Sequence, residues 1–309
     1  MSRDLKHPVD PRLADLAGLV WAHLIDDQVV EISLNDDGAL FVERFGSAPQ
    51  RAGEMRPQEA ERFIRYCANK GNAAYTADQT IVSTRIATMH HRLEAILPPN
   101  VASASFSIRR HREQVSDLSE FVPDAGFLSV IRQAIKDKSN LLISGGTGAG
   151  KTSFANACLA YLAEVAADQR CVVLEDTAEL QVPMPNTLRL ISSEMISMDR
   201  LLVSTLRLAP KRIIVGEVRT GKVMTLLLKA WNTGHPGGIT TIHANSAMDV
   251  LPRVQMLCAE EIQGGVDALI ASSLDLVVHL SRGQDAPQVT ELARVKRHED
   301  GFVVEDVQK

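Results

Sequence analysis

Apolar residues recur along this chain with two different periods, and the switches between them mark its elements. Over residues 12–26, Leu13, Leu16, Leu19, Val20 and Leu24 fall at helical spacing, and Asp10 with Pro11 supplies a start, so one helix is predicted there. VVEISL and ALFVERF are β-prone runs on either side of NDDG, whose Asp-Gly is a strong turn signal, and they predict a hairpin. Residues 57–70 return to helical spacing, with Ala60, Phe63, Ile64 and Cys67 on one side and Gly71 as the stop. Strand-like runs follow at 80–86, 92–97 and 105–109.

Beyond residue 120 the pattern changes. Leu128, Ile131 and Ile135 predict a helix, and from residue 140 short apolar runs alternate with helical segments. Strands are expected at 140–144, 171–175, 187–191, 212–216, 239–243 and 276–280, helices at 151–166, 199–208, 221–233, 247–258 and 266–273, and a terminal hairpin in 288–307. Such alternation implies a mostly parallel sheet covered on both faces. The chain is therefore an α/β protein divided into a small α+β domain at 1–110, a linker at 111–120 and a larger domain at 121–309. It contains no internal repeat and no low-complexity segment.

Composition narrows the picture by exclusion. With 309 residues, 45% hydrophobic and 23% charged, the chain is long enough for two cores of ordinary globular character. A net charge of −5 offers no global attraction for nucleic acid, so direct nucleic-acid binding is doubtful. MSRDLKHPVD has no apolar stretch of a secretory signal, and no run of about 18 apolar residues occurs anywhere, so neither an export signal nor a bilayer span is expected. Cys67, Cys158, Cys171 and Cys258 are far apart without a C-x-x-C pair, which points to buried thiols in a reducing cytoplasm.

The most specific chemistry lies in NLLISGGTGAGKTS, where Gly145, Gly150, Lys151 and Thr152 fit G-x-x-x-x-G-K-[ST] between a strand-like run and a helix-compatible one. Gly145, Gly146, Gly148 and Gly150 can reach positive φ, so backbone N–H groups from Gly145 through Thr147 and Ala149 to Ser153 can turn inward around an anion. The positive end of the following helix adds to this attraction. Lys151 would reach the β and γ phosphates and the Thr152 hydroxyl would join a Mg²⁺ shell, so the expected ligand is ATP with Mg²⁺.

Phosphoryl transfer to water also needs a carboxylate to orient or deprotonate the nucleophile, and in an open α/β sheet it sits at a strand's carboxyl end. RIIVGEVR offers Glu217, with Gly216 where an aspartate commonly helps hold Mg²⁺, so Glu217 is cast as the water-orienting base. CVVLEDTAEL offers Glu175 and Asp176, suited to Mg²⁺ through water or to a shared base role, although Asp176 with Glu179 also fits a helix cap. GHPGGITTIHAN places His235 and His243 eight residues apart, a poor spacing for zinc; a strand-ending histidine can instead bond the γ-phosphate or the neighbouring carboxylate. Arg109, Arg110, His111 and Arg112 form the densest basic cluster, read either as a solvated linker or as a source of a phosphate-binding arginine.

GGTGAGKTS, LEDTAEL and IIVGEVRTG followed by KAWNTGHPGGITTIHANS resemble the Walker A, Asp box, Walker B and His box of the secretion ATPases, most closely the conjugal-transfer TrbB branch of the type IV secretion ATPases. The resemblance is specific over residues 120–282. It implies a RecA-like P-loop domain preceded by a PAS-like N-terminal domain, a homohexameric ring, and cytoplasmic residence with peripheral attachment to inner-membrane secretion machinery. By position it makes Lys151 and Thr152 the phosphate and Mg²⁺ residues, Glu175 the Asp-box acid, Glu217 the Walker B acid and His243 the His-box residue. It also implies phosphate-binding arginines from the N-terminal domain, with Arg92, Arg109 and Arg110 as candidates. The activity implied is ATP hydrolysis driving type IV secretion or conjugative DNA transfer. The rival readings are a DNA-translocating or recombination ATPase and a nucleotide-gated scaffold without productive turnover.

Overall fold

The computed structural model describes residues 10–71, 79–86, 89, 91–110, 115–193, 195–283, 286–299 and 301–307. Chain contacts divide it into two compact units, Met1–Glu113 and Gln114–Lys309. His111 and Arg112 of the basic cluster, and the first nine residues, lie outside the described set.

In the first unit the single N-terminal helix expected from periodicity is two: α1 (Pro11–Ala17) and α2 (Val20–Leu24). Gly18, at φ 52°, interrupts the helical backbone between them, which residue spacing alone does not report. Asp10 caps α1 by accepting from the N–H groups of Arg12 and Leu13. Strands β1 (Val29–Leu34) and β2 (Ala39–Arg44) form the hairpin, and β3 (Gln50–Glu54) extends it. The sequence pattern misses β3 because QRAGE is polar and almost wholly exposed; pairing with β2, not hydrophobic alternation, makes it a strand. Helix α3 (Pro57–Lys70) precedes β4 (Ile81–Ile86), β5 (His91–Ile96) and β6 (Ser105–Arg109). The six strands form one antiparallel sheet in the order β3-β2-β1-β6-β5-β4. Its core joins Phe63 and Ile64 of α3 to Ile32, Leu40, Leu93 and Ile108.

The second unit begins with α4 (Leu118–Phe121), whose first three residues fall in the stretch expected to be linker. Asp117 and Glu120 form a capping box, and Leu118 and Phe121 are buried in this unit's core. Helix α5 (Ala125–Lys136) leads into β7 (Leu141–Gly145), after which come α6 (Lys151–Val165), β8 (Cys171–Glu175), β9 (Thr187–Ile191), α7 (Met198–Thr205) and β10 (Arg212–Val215). Then follow α8 (Gly221–Asn232), β11 (Ile239–Ile242), α9 (Ala247–Ala259), α10 (Val266–Ser273), β12 (Leu276–Arg282), β13 (Pro287–His298) and β14 (Gly301–Asp306).

The sheet order is β14-β13-β12-β7-β11-β10-β8-β9, parallel from β12 to β9 and antiparallel at the terminal hairpin. Alternate residues of β7 face opposite layers: Leu141 and Ile143 pack with Phe154, Cys158 and Leu162 of α6, while Leu142 packs with the layer containing Leu227, Leu228 and Val254 of α8 and α9. Because six neighbouring strands run the same way, the carboxyl ends of β7, β11, β10, β8 and β9 open on one edge of the sheet.

Candidate nucleotide site

That edge carries the glycine loop between β7 and α6. Gly145, Gly148 and Gly150 have φ of 155°, 73° and 84°; Gly146, expected to share this freedom, does not use it. A Cβ on Gly145 would stand 2.5 Å from the Leu280 carbonyl oxygen, and one on Gly150 would stand 2.6 Å from Pro287, so neighbouring chain presses the loop at both ends. Gly150 caps α6 without a side-chain acceptor, so the first turn presents N–H groups that an anion can satisfy. Ala149 is buried, Thr152 is half-buried, and Thr147 and Ser153 are exposed.

Lys151 is buried and its Nζ donates to the carbonyls of Gly145 and Gly146, both at 2.8 Å, and meets His243 Nδ1 at 3.1 Å. His243 Nε2 lies 2.7 Å from Glu217 Oε1. These contacts select one imidazole tautomer: an ammonium only donates and a carboxylate only accepts, so Nδ1 is the acceptor and Nε2 carries the proton. Burial, and next the Lys151 charge, lower the His243 pKa below its ordinary value against the opposing pull of Glu217, consistent with a neutral ring. Burial likewise lowers the Lys151 pKa, with Glu217 opposing.

Glu175 ends β8, next to Gly216, and is 2% exposed. Its Oε1 accepts from the N–H groups of Glu179 and Leu180, while Oε2 is buried without a hydrogen-bond partner. Burial raises its pKa, partly offset by those two backbone donors. Asp176 accepts from Ser192 rather than capping a helix. His235 lies before β11 and His243 after it, so the strand separates them; His235 Nδ1 meets the Pro210 carbonyl instead.

Arg219, absent from the sequence expectations, places Nε and Nη2 on Glu217 Oε2 at 2.7 and 2.5 Å. Its signal was positional only: an arginine two residues past a strand-ending acid can fold back on it.

In the other unit, strand register lines up Glu31, Arg109, Arg92 and Arg85 across β1, β6, β5 and β4. Arg109 is an exposed partner of Glu31 at 3.3 Å. Arg110 is held differently. Its side chain is only 10% exposed and its guanidinium is engaged by the carbonyls of Asp26 and Val29, by His91 and by Asp27, all within its own unit. Alternation along β6 turns it away from the face that Arg109 shares.

A parallel sheet whose strand ends gather a glycine loop, its lysine, a carboxylate and a histidine offers backbone N–H groups and a cation to an anion, with an acid beside them. The type II/IV secretion system protein family matches residues 73–302, and the chain belongs to this family. It is 43% identical over 290 residues to the conjugal transfer protein TrbB of Rhizobium radiobacter, covering 92% of this chain and 90% of that protein. It is 33% identical over 207 residues to the type IV secretion system protein VirB11 of Bartonella quintana, covering 63% of this chain and 56% of that protein. In fold it is similar to the Legionella pneumophila ATPase DotB, with a TM-score of 0.65 at 16% identity over 97% of this chain and 84% of that one. Among the described residues no helix is long and apolar enough to cross a membrane.

Proposed function

We propose that this chain is an ATP-hydrolysing ring motor that energises type IV secretion or conjugative DNA transfer. The observation that carries this reading is the row Lys151–His243–Glu217 at the mouth of the glycine loop, with each member in direct polar contact with the next. Lys151 binds the β and γ phosphates, exchanging its two loop carbonyls for phosphate oxygens. Glu217 orients the attacking water. His243, neutral and donating to Glu217, reports whether Lys151 is engaged with it or with phosphate.

The residues fit Mg²⁺ carried in on the nucleotide. Thr152 offers a hard oxygen at the start of α6, and Glu175 keeps one buried carboxylate oxygen without a partner. Among the described residues no group of three or more His, Cys, Asp or Glu could hold a metal alone, which suits an ion held largely by phosphates and water. When bound, Mg²⁺ neutralises charge developing on the transferred phosphoryl group.

In this reading the first unit is a PAS-like domain, the second is a RecA-like domain, and arginines of the first are proposed as phosphate ligands. Arg92, Arg109 and Arg110 are the candidates, and the shared register adds Arg85. The active form is a homohexamer in the cytoplasm, held peripherally by inner-membrane secretion components. The net charge of −5 supplies no global attraction for DNA.

Glu217→Gln tests the proposal. Hydrolysis is expected to fall by roughly a hundredfold or more while ATP still binds. Parental turnover in that variant would overturn the assignment of the base. Undetectable turnover by the unmutated ring with its partners present would make the protein a nucleotide-gated scaffold.

A further inference from the structure

The polar row continues past Glu217. Arg219 grips Glu217 Oε2 with two N–H groups and places Nη1 3.6 Å from Asp176 Oδ2. Asp176 in turn accepts from Ser192 Oγ at 2.5 Å. The sequence of groups Lys151, His243, Glu217, Arg219, Asp176 and Ser192 thus follows β7, β11, β10, β8 and β9 in the spatial order of the sheet.

The two oxygens of Glu217 have different partners. Oε1 faces His243, which also holds Lys151, so any phosphate that draws Lys151 away alters that side. Oε2 is held only from the opposite side, by a guanidinium whose planar fork fixes the plane of the carboxylate as well as its position.

We infer that Arg219 is the positioning residue for Glu217: anchored on Asp176, it holds Oε2 so that Oε1 stays aimed at the nucleotide side. This rests on the reading of Glu217 as the group that orients water. Arg219 is 56% exposed and Asp176 42%, so their pairing adds little to stability, and an arginine placed there for the fold alone would be poorly used. Lysine cannot replace it, because one ammonium cannot fix the carboxylate plane and reach Asp176 together.

Steady-state ATP hydrolysis, nucleotide affinity and thermal midpoint, measured on the full-length protein, test the inference. Arg219→Gln and Arg219→Lys are expected to lower kcat by about 10- to 100-fold, with nucleotide Kd within about twofold and little change in Tm. Asp176→Asn should give a smaller loss in kcat, and the double variant Asp176→Asn/Arg219→Gln should be no slower than Arg219→Gln alone. Guanidinium at sub-denaturing concentration should restore part of the turnover of Arg219→Ala, whereas sodium chloride at equal ionic strength should not. Unchanged kcat in the Arg219 variants, or a loss confined to nucleotide Kd, would overturn the inference. Glu217→Gln fails separately: if it keeps parental turnover, the base assignment itself falls and takes the anchoring role with it.

Discussion

The side chain of Glu175 lies over Gly216, close enough that a Cβ built on Gly216 would stand 3.1 Å from Glu175 Cγ. Parallel pairing of Leu174 with Val215 brings the two strand ends side by side. Gly216, which in the sequence looks like a missing acid, is therefore room for an acid supplied by the next strand.

Gly216→Ala should force Glu175 to shift by a few tenths of an ångström or to lose one of its two backbone donors. A stability loss of about 1 kcal/mol is expected in urea titration, with a larger proportional loss in kcat than in nucleotide affinity. If neither kcat nor stability moves, Glu175 is not held by this contact.

Gly145→Ala and Gly146→Ala should separate sharply. A Cβ on Gly145 meets the Leu280 carbonyl at 2.5 Å, whereas one on Gly146 meets nothing within 4 Å. Without nucleotide, the first should lose about 2–3 kcal/mol of unfolding free energy and the second should stay within about 0.5 kcal/mol of the parent. Equal melting temperatures would show that the loop is not pressed against β12.

Asn140 ties together three parts of the chain before the glycine loop begins. Its Oδ1 accepts from the N–H groups of Gly237 and Gly238, and its Nδ2 donates to the Ser273 carbonyl. Asn140→Ala leaves those buried groups unsatisfied and should cost about 3 kcal/mol or more, measured by chemical denaturation. A loss below about 1 kcal/mol would mean that water replaces the side chain.

His279 is 3% exposed, with Nδ1 2.9 Å from Ser144 Oγ just before the loop, and burial lowers its pKa. Between that lowered value and 6.5 the unfolded chain binds a proton that the folded chain does not, so this contribution to stability is present above pH 6.5 and lost as pH falls below it. His279→Gln removes the dependence. The stability difference between parent and variant should shift toward the variant from pH 7.5 to pH 5.5, with carboxylate effects largely common to both. A difference that does not change with pH would contradict the assignment.

Much of the second unit was legible in residue order because its signals are local. Central parallel strands buried on both faces read as unbroken apolar runs, as in LLISG and CVVLE, and the glycine loop declares its backbone needs in consecutive residues. Lys151, Thr152 and the two strand-ending glutamates followed from those runs. Where the pattern failed, tertiary contact had overridden it: QRAGE is a strand because β2 offers an edge, and Leu118 leaves the expected linker because a core is there to receive it.

What residue order determined was the set of elements and the chemical groups at their ends. What only the tertiary structure decided was which ends meet. His243 touches Glu217 because β11 lies beside β10, and Arg219 reaches Asp176 because β8 lies on the other side. The separation of Arg110 from Arg109 likewise depends on which face of β6 is covered. Strand order and face are set by packing of the whole sheet between its helical layers, a free energy summed over distant residues that no short stretch of sequence carries.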